Sequence, residues 1–142
     1  MRPPRPASSA RYVIDAPTLV HLIDDGAPVD PSVQLVAPSS IRSEALELLL
    51  RDVAAGRRTE QEALATHEQM TGLKIRLLGD RVSRATAWRI ARERGWDSLR
   101  DAEYLAITRL QADALVSVDP ELLVAADGAV PVAPLASLLG GE

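Results

Sequence analysis

Residues Leu99 to Leu122 read LRDAEYLAITRLQADALVSVDPEL, and the pattern of this stretch decides the architecture. Leu99, Tyr104, Leu105, Ile107 and Leu110 recur at helical spacing, and Ser98 stands before them as a cap, which predicts a helix to about Ala112. Ala114 to Val118 is a short apolar run bounded by acids, the form of a buried strand ending at Asp119. Pro120, with φ already suited to a first helical turn, opens another helix. A helix leading into a buried strand that leads into a helix is the repeating unit of a parallel sheet.

The same alternation extends to both ends. Toward the N-terminus, Asp80 caps a helix that runs to Gly95, preceded by a strand over Lys74–Leu78 with alternating Ile75 and Leu77. Thr59-Glu-Gln-Glu62 is a capping box for a helix from Glu60 to Met70 that ends at Gly72. A helix from Ile41 to about Ala54 closes at Gly56 and follows a strand over Val33–Ala37. A short helix over Pro17–Asp24, stopped by Gly26 and Pro28, follows the first strand, Arg11–Ile14, which ends at Asp15. Beyond Asp119, Val130–Ala133 reads as a last small strand and the tail closes at Leu139. The expected fold class is α/β, three layers with a central, mainly parallel sheet flanked by helices. Residues 1–10 read as a flexible arm and 11–139 as a single domain.

Composition narrows the functional classes. The chain has 142 residues, 46% of them apolar, yet no Phe and only 3% aromatics, so its core must be aliphatic. It contains no cysteine, which excludes disulfides and thiolate metal sites and fits a reducing cytoplasm. The N-terminal stretch has no apolar h-region, and no apolar run is long enough for a bilayer. A net charge of −4 argues against nucleic-acid binding through a large basic surface. It leaves open an acidic site whose divalent cations reverse the local field.

Four acids stand out. Asp15 and Asp119 each follow a strand, and in an open parallel sheet ligands bind outside the carboxyl ends of the strands. Glu44 lies in the first turn of the helix after the second strand, and Asp101 begins the helix before the strand that ends at Asp119. At about 100° per residue, Glu44 and Asp101 each flank the apolar stripe of their helix, beside Leu48 and Leu105. Carboxylates gathered there would repel one another without a cation, and Mg²⁺ or Mn²⁺ takes oxygen ligands. Asp15 and Asp119 also read as simple helix N-caps before proline-opened turns.

These residues carry a resemblance. Tyr-Val-Ile-Asp15-Ala, Ala-Pro-Ser-Ser-Ile-Arg-Ser-Glu44-Ala-Leu, Leu-Arg-Asp101-Ala-Glu-Tyr104-Leu-Ala-Ile and Ala-Leu-Val-Ser117-Val-Asp119-Pro-Glu-Leu122 together resemble PIN-domain ribonucleases, most of all the VapC-type toxins of bacterial toxin–antitoxin pairs. The similarity runs from Tyr12 to about Leu138. It implies a PIN-like fold and a Mg²⁺- or Mn²⁺-dependent endoribonuclease with Asp15, Glu44, Asp101 and Asp119 as catalytic metal ligands. It also implies Ser117 as a supporting hydroxyl, a homodimer, and a cognate antitoxin that restrains the enzyme. Pro17 stands where that family often has a small polar residue, so either Thr18 substitutes for it or one supporting contact is missing. Asp97, one helical turn before Asp101, is the alternative to it.

Substrate contacts and competing functions are less sharply marked. Arg81, Arg84, Trp88 and Arg92 share a helix face that suits an RNA backbone and its bases, or an acidic protein segment. Arg42 and Arg51 lie nearer the acids, while His21 and His67 are isolated and read as structural or surface residues. A catalytically silent interaction module is the second reading, favoured by Pro17. A DNA nuclease shares the same site logic. A phosphoacceptor domain would want a lysine late in the sheet, whereas Lys74 precedes a middle strand.

Overall fold

In a computed structural model describing residues 10–139, four parallel strands form one sheet in the order β3-β2-β1-β4. The strands are β1 (Arg11–Ile14), β2 (Gln34–Pro38), β3 (Ile75–Leu78) and β4 (Ala114–Val116). The helices are α1 (Ala16–Asp25), α2 (Ile41–Ala54), α3 (Glu60–Thr71), α4 (Arg81–Arg94), α5 (Arg100–Gln111) and α6 (Pro120–Ala126). Of the expected flexible arm, residues 1–9 lie outside the described residues.

Alternation along the strands builds the three layers. Val13, Val36 and Leu115 point to the side covered by α4, α5 and α6. Their neighbours Ile14, Leu35, Ala37 and Val116 point to the side covered by α1, α2 and α3. Because successive strand side chains face opposite ways, one short strand feeds both cores. Helix α5 is the central helix of its layer, with Ala102, Tyr104, Leu105, Ala106, Ile107 and Thr108 all buried. That core accounts for most of its apolar circumference.

Local signals place most boundaries. The Thr59–Glu62 capping box is formed in both directions, and Gly26 and Gly95 end α1 and α4 with φ of 74° and 70°. Those positive φ values suit glycine, which has no Cβ to clash. Four expectations need correction. β4 stops at Val116 because the Val118 amide is taken by the Thr18 hydroxyl at 3.0 Å. Val130–Ala133 is not a strand but one parallel bridge between Leu115 and Val132, since Pro131 has no amide proton to continue the ladder. Leu77 shares a face of the edge strand β3 with the buried Ile75, yet it is 38% exposed. Helix α5 begins at Arg100 with Leu99 at the N-cap, and the Ser98 hydroxyl accepts only from the Arg100 amide at 3.3 Å. Among the described residues, no helix is long and apolar enough to cross a membrane.

Candidate functional site

Parallel strands bring their carboxyl ends to one edge, and four segments deliver an acid there. Asp15 follows β1 at the N-cap of α1, but its side chain makes no cap bond. Oδ1 instead accepts from the Thr18 hydroxyl, and Oδ2 accepts from the Ser117 hydroxyl at 2.9 Å. Ser117 in turn accepts from the Asp119 amide at 2.9 Å. Two hydroxyls therefore hold Asp15 and lock it to the turn after β4. Thr18, beside Pro17, donates to Asp15 and accepts from the Val118 amide.

Glu44 in the first turn of α2 is gripped at both oxygens. Oε2 accepts from the Ser40 hydroxyl at 2.6 Å, and Oε1 accepts from the Tyr104 hydroxyl at 3.0 Å. Tyr104 is buried on α5, so this bond ties α2 to the central helix of the other layer. Asp101, in the first turn of α5, is partly exposed with Arg100 Nε 3.6 Å from its carboxylate. Asp119 acts as a true N-cap, accepting from the Glu121 amide at 3.0 Å. The capping reading thus holds for Asp119 and fails for Asp15.

All four acids line one cleft of about 320 Å³. Arg51, Arg100, Ser40 and Tyr104 line it too. Asp15 is only 3% exposed, and burial, more than the nearby Asp119 charge, holds its carboxyl above the usual carboxylate range; the Thr18 and Ser117 bonds pull the other way. Burial also raises Tyr104, with Glu44 adding to the effect. Glu103 is raised by burial and then by Glu44, while Arg84 opposes. Among the described residues, no three acidic or histidine side chains are spaced to hold one metal ion as they stand. The carboxylates share a cleft, with Glu44 turned toward its hydroxyl partners and Asp101 close to Arg100.

Several candidates lie elsewhere. Asp97 is exposed and does not line the cleft. Arg81, Arg84, Trp88 and Arg92 are exposed on α4, and none reaches the cleft either. Arg42 donates to the Met70 carbonyl at 3.2 Å and ties α2 to α3. His21 and His67 are also outside the cleft. Conversely, Ser40, Arg100 and Tyr104 emerge as cleft residues that the pattern alone did not single out. Ser40 precedes Glu44 by four residues, a legible local signal. Tyr104 had none, because it reads as core.

No family model matches the sequence, and no curated protein matches it. The structure is similar to PAE2754 from Pyrobaculum aerophilum, with a TM-score of 0.64 at 23% identity over 87% of this chain and 91% of that one. It is also similar to VapBC-1 from nontypeable Haemophilus influenzae, with a TM-score of 0.59 at 12% identity over 88% of this chain and 98% of that one.

Proposed function

We propose, taking as premise the VapC-like PIN fold shared with those two structures, that the chain is a Mg²⁺- or Mn²⁺-dependent endoribonuclease. In this reading it is the toxin of a type II toxin–antitoxin pair, acting in the cytoplasm as a homodimer. The observation that carries the catalytic reading is the meeting of Asp15, Glu44, Asp101 and Asp119 in one cleft at the carboxyl edge of the sheet.

The donor set suits a hard divalent cation: it offers only oxygens, and the buried Asp15 carboxylate is further raised by the charge of Asp119 beside it. Asp15, Glu44, Asp101 and Asp119 would hold the ion. When bound, such an ion polarises a phosphoryl oxygen and lowers the pKa of water. The chain's own work is positional. Thr18 and Ser117 orient Asp15, and Ser40 and Tyr104 orient Glu44. Arg51 and Arg100, at the rim of the same cleft, offer guanidinium groups to a phosphodiester backbone.

Cleavage of single-stranded or structured RNA is therefore expected to stop with EDTA and return with Mg²⁺ or Mn²⁺. Asp101→Asn should abolish it without unfolding the chain. Cleavage that persists through both treatments refutes the mechanism. Tyr104→Phe removes one hydroxyl that orients Glu44, so Mn²⁺ affinity measured by calorimetry should fall by about tenfold or more, as for other outer-shell partners. Unchanged affinity would make Tyr104 a core residue only.

A groove between α2 and α3 favours a protein partner. Leu46, Leu50 and Leu64 are exposed there, Leu64 at 57%, and Ser43 and Glu47 line both groove and cleft. An apolar antitoxin segment seated in it would border the site. The same groove supports the second reading, a catalytically silent interaction module, which a folded chain that binds no Mn²⁺ and cuts no RNA would select.

A further inference from the structure

A smaller cavity of about 150 Å³ adjoins the acidic cleft across Ser40, which lines both. It lies where β2 and β3 end and α4 begins. Its floor is apolar, from Pro38, Leu78 and Ile107, and its polar walls include Ser39, Arg84 and Glu103. Gly79 keeps one wall bare, since a Cβ there would stand 3.3 Å from the Ser39 hydroxyl oxygen. The Arg84 guanidinium is steadied by the Gly79 carbonyl at 3.0 Å, leaving further N–H groups to donate.

We propose that this cavity is a subsite for one unstacked guanine base, placed beside the cleaved phosphodiester, with Glu103 as acceptor and Arg84 as donor. The proposal rests on the ribonuclease reading for its biological meaning, but its contacts are made by Glu103 and Arg84 and not by the acids that would bind metal. An apolar floor with an acceptor and a donor on its walls suits a flat heterocycle whose edge carries both kinds of group. Guanine presents two adjacent donors, N1–H and the N2 amino group, to a carboxylate, and its O6 accepts from a guanidinium. Adenine places an acceptor where Glu103 needs a donor, and uracil flanks its single donor with two carbonyls. A bare phosphate would find Glu103 repulsive. Arg84 is thereby separated from Arg81, Trp88 and Arg92: it is the member of that helix face that lines this cavity.

The test is equilibrium binding in EDTA, where no cleavage intervenes, read by fluorescence anisotropy. The probes are a labelled short oligoadenylate, the same strand with one central guanine, and the same with inosine, which lacks the N2 amino group. The guanine strand is expected to bind at least about tenfold more tightly than the all-adenine strand, the range of one good bidentate contact, with inosine between. Glu103→Gln and Arg84→Met should each shrink that ratio toward one while circular dichroism shows a native fold. Asp101→Asn should leave it in place. Equal binding of the strands, a preference unmoved by Glu103→Gln, or displacement of the guanine strand by inorganic phosphate as readily as by guanosine monophosphate would each overturn the proposal. Guanine selectivity without RNA cleavage in Mn²⁺ would uphold this subsite and sink the nuclease reading instead.

Discussion

Asp15→Asn is expected to abolish RNA cleavage and, in the same variant, to raise the melting temperature of the metal-free protein by a few degrees at neutral pH. The first effect follows from the proposed role of Asp15 as the innermost of the four cleft acids. Losing even an outer-shell partner costs about 10–100-fold, so loss of an inner ligand should exceed a hundredfold. The second effect follows from burial. Asp15 is 3% exposed, and its carboxyl is held above the ordinary range chiefly by desolvation, with Asp119 adding repulsion. A carboxyl raised in the fold binds more protons there than in the unfolded chain, so stability declines as pH rises through that interval and stays reduced above it. Asparagine carries no charge to desolvate. Its advantage should be greatest at neutral pH and should narrow as the pH falls into the ordinary carboxylate range, where Asp15 itself becomes neutral. Thermal melts in EDTA across that pH range check this. A variant that melts below the parent at neutral pH would show that the Thr18 and Ser117 bonds outweigh the burial cost.

Leu105→Ala should cost about 2–5 kcal/mol, a large part of the roughly 5–15 kcal/mol that holds a domain of this size together. Leu105 is 0% exposed, and α5 packs on β1, β2, β4, α4 and α6. Truncation there opens a cavity at the crossing of several elements, which the surroundings relax to fill only in part. Leu110, on the same helix but 40% exposed, supplies the contrast: Leu110→Ala should shift the urea midpoint only slightly. Equal effects at the two positions would mean that α5 is not the centre of its layer. Because Asp101 and Tyr104 ride on α5, mild truncations near Leu105 are also expected to weaken Mn²⁺ binding before they unfold the chain.

The contrast between Leu105 and Leu110 shows where periodicity stops informing. Both belong to one apolar helix in the sequence, and only the neighbours of α5 distinguish them. The acids divide in the same way. That Asp15, Glu44, Asp101 and Asp119 share an edge was legible, because a parallel sheet sends every strand end to one side. That Asp15 does not cap its helix was not legible, because its Ser117 partner lies 102 residues away. Asp97 and Asp101 are close in sequence, yet only Asp101 reaches the cleft. The arginines that reach it are Arg51 and Arg100, whereas the Arg–Trp face of α4 points elsewhere.

The sequence by itself determined the features whose causes lie within a few residues: the Thr59–Glu62 box, the glycine stops after α1 and α4, the proline-opened α6, and the positions of acids at strand ends and first helical turns. Tertiary structure alone decided the strand order β3-β2-β1-β4, the grip of Tyr104 on Glu44, and the cavity between Arg84 and Glu103. The reason is range. Caps and turns satisfy backbone groups with side chains a turn away, while hydroxyl-to-carboxylate bonds and shared cavities depend on which distant segments the two hydrophobic layers press together.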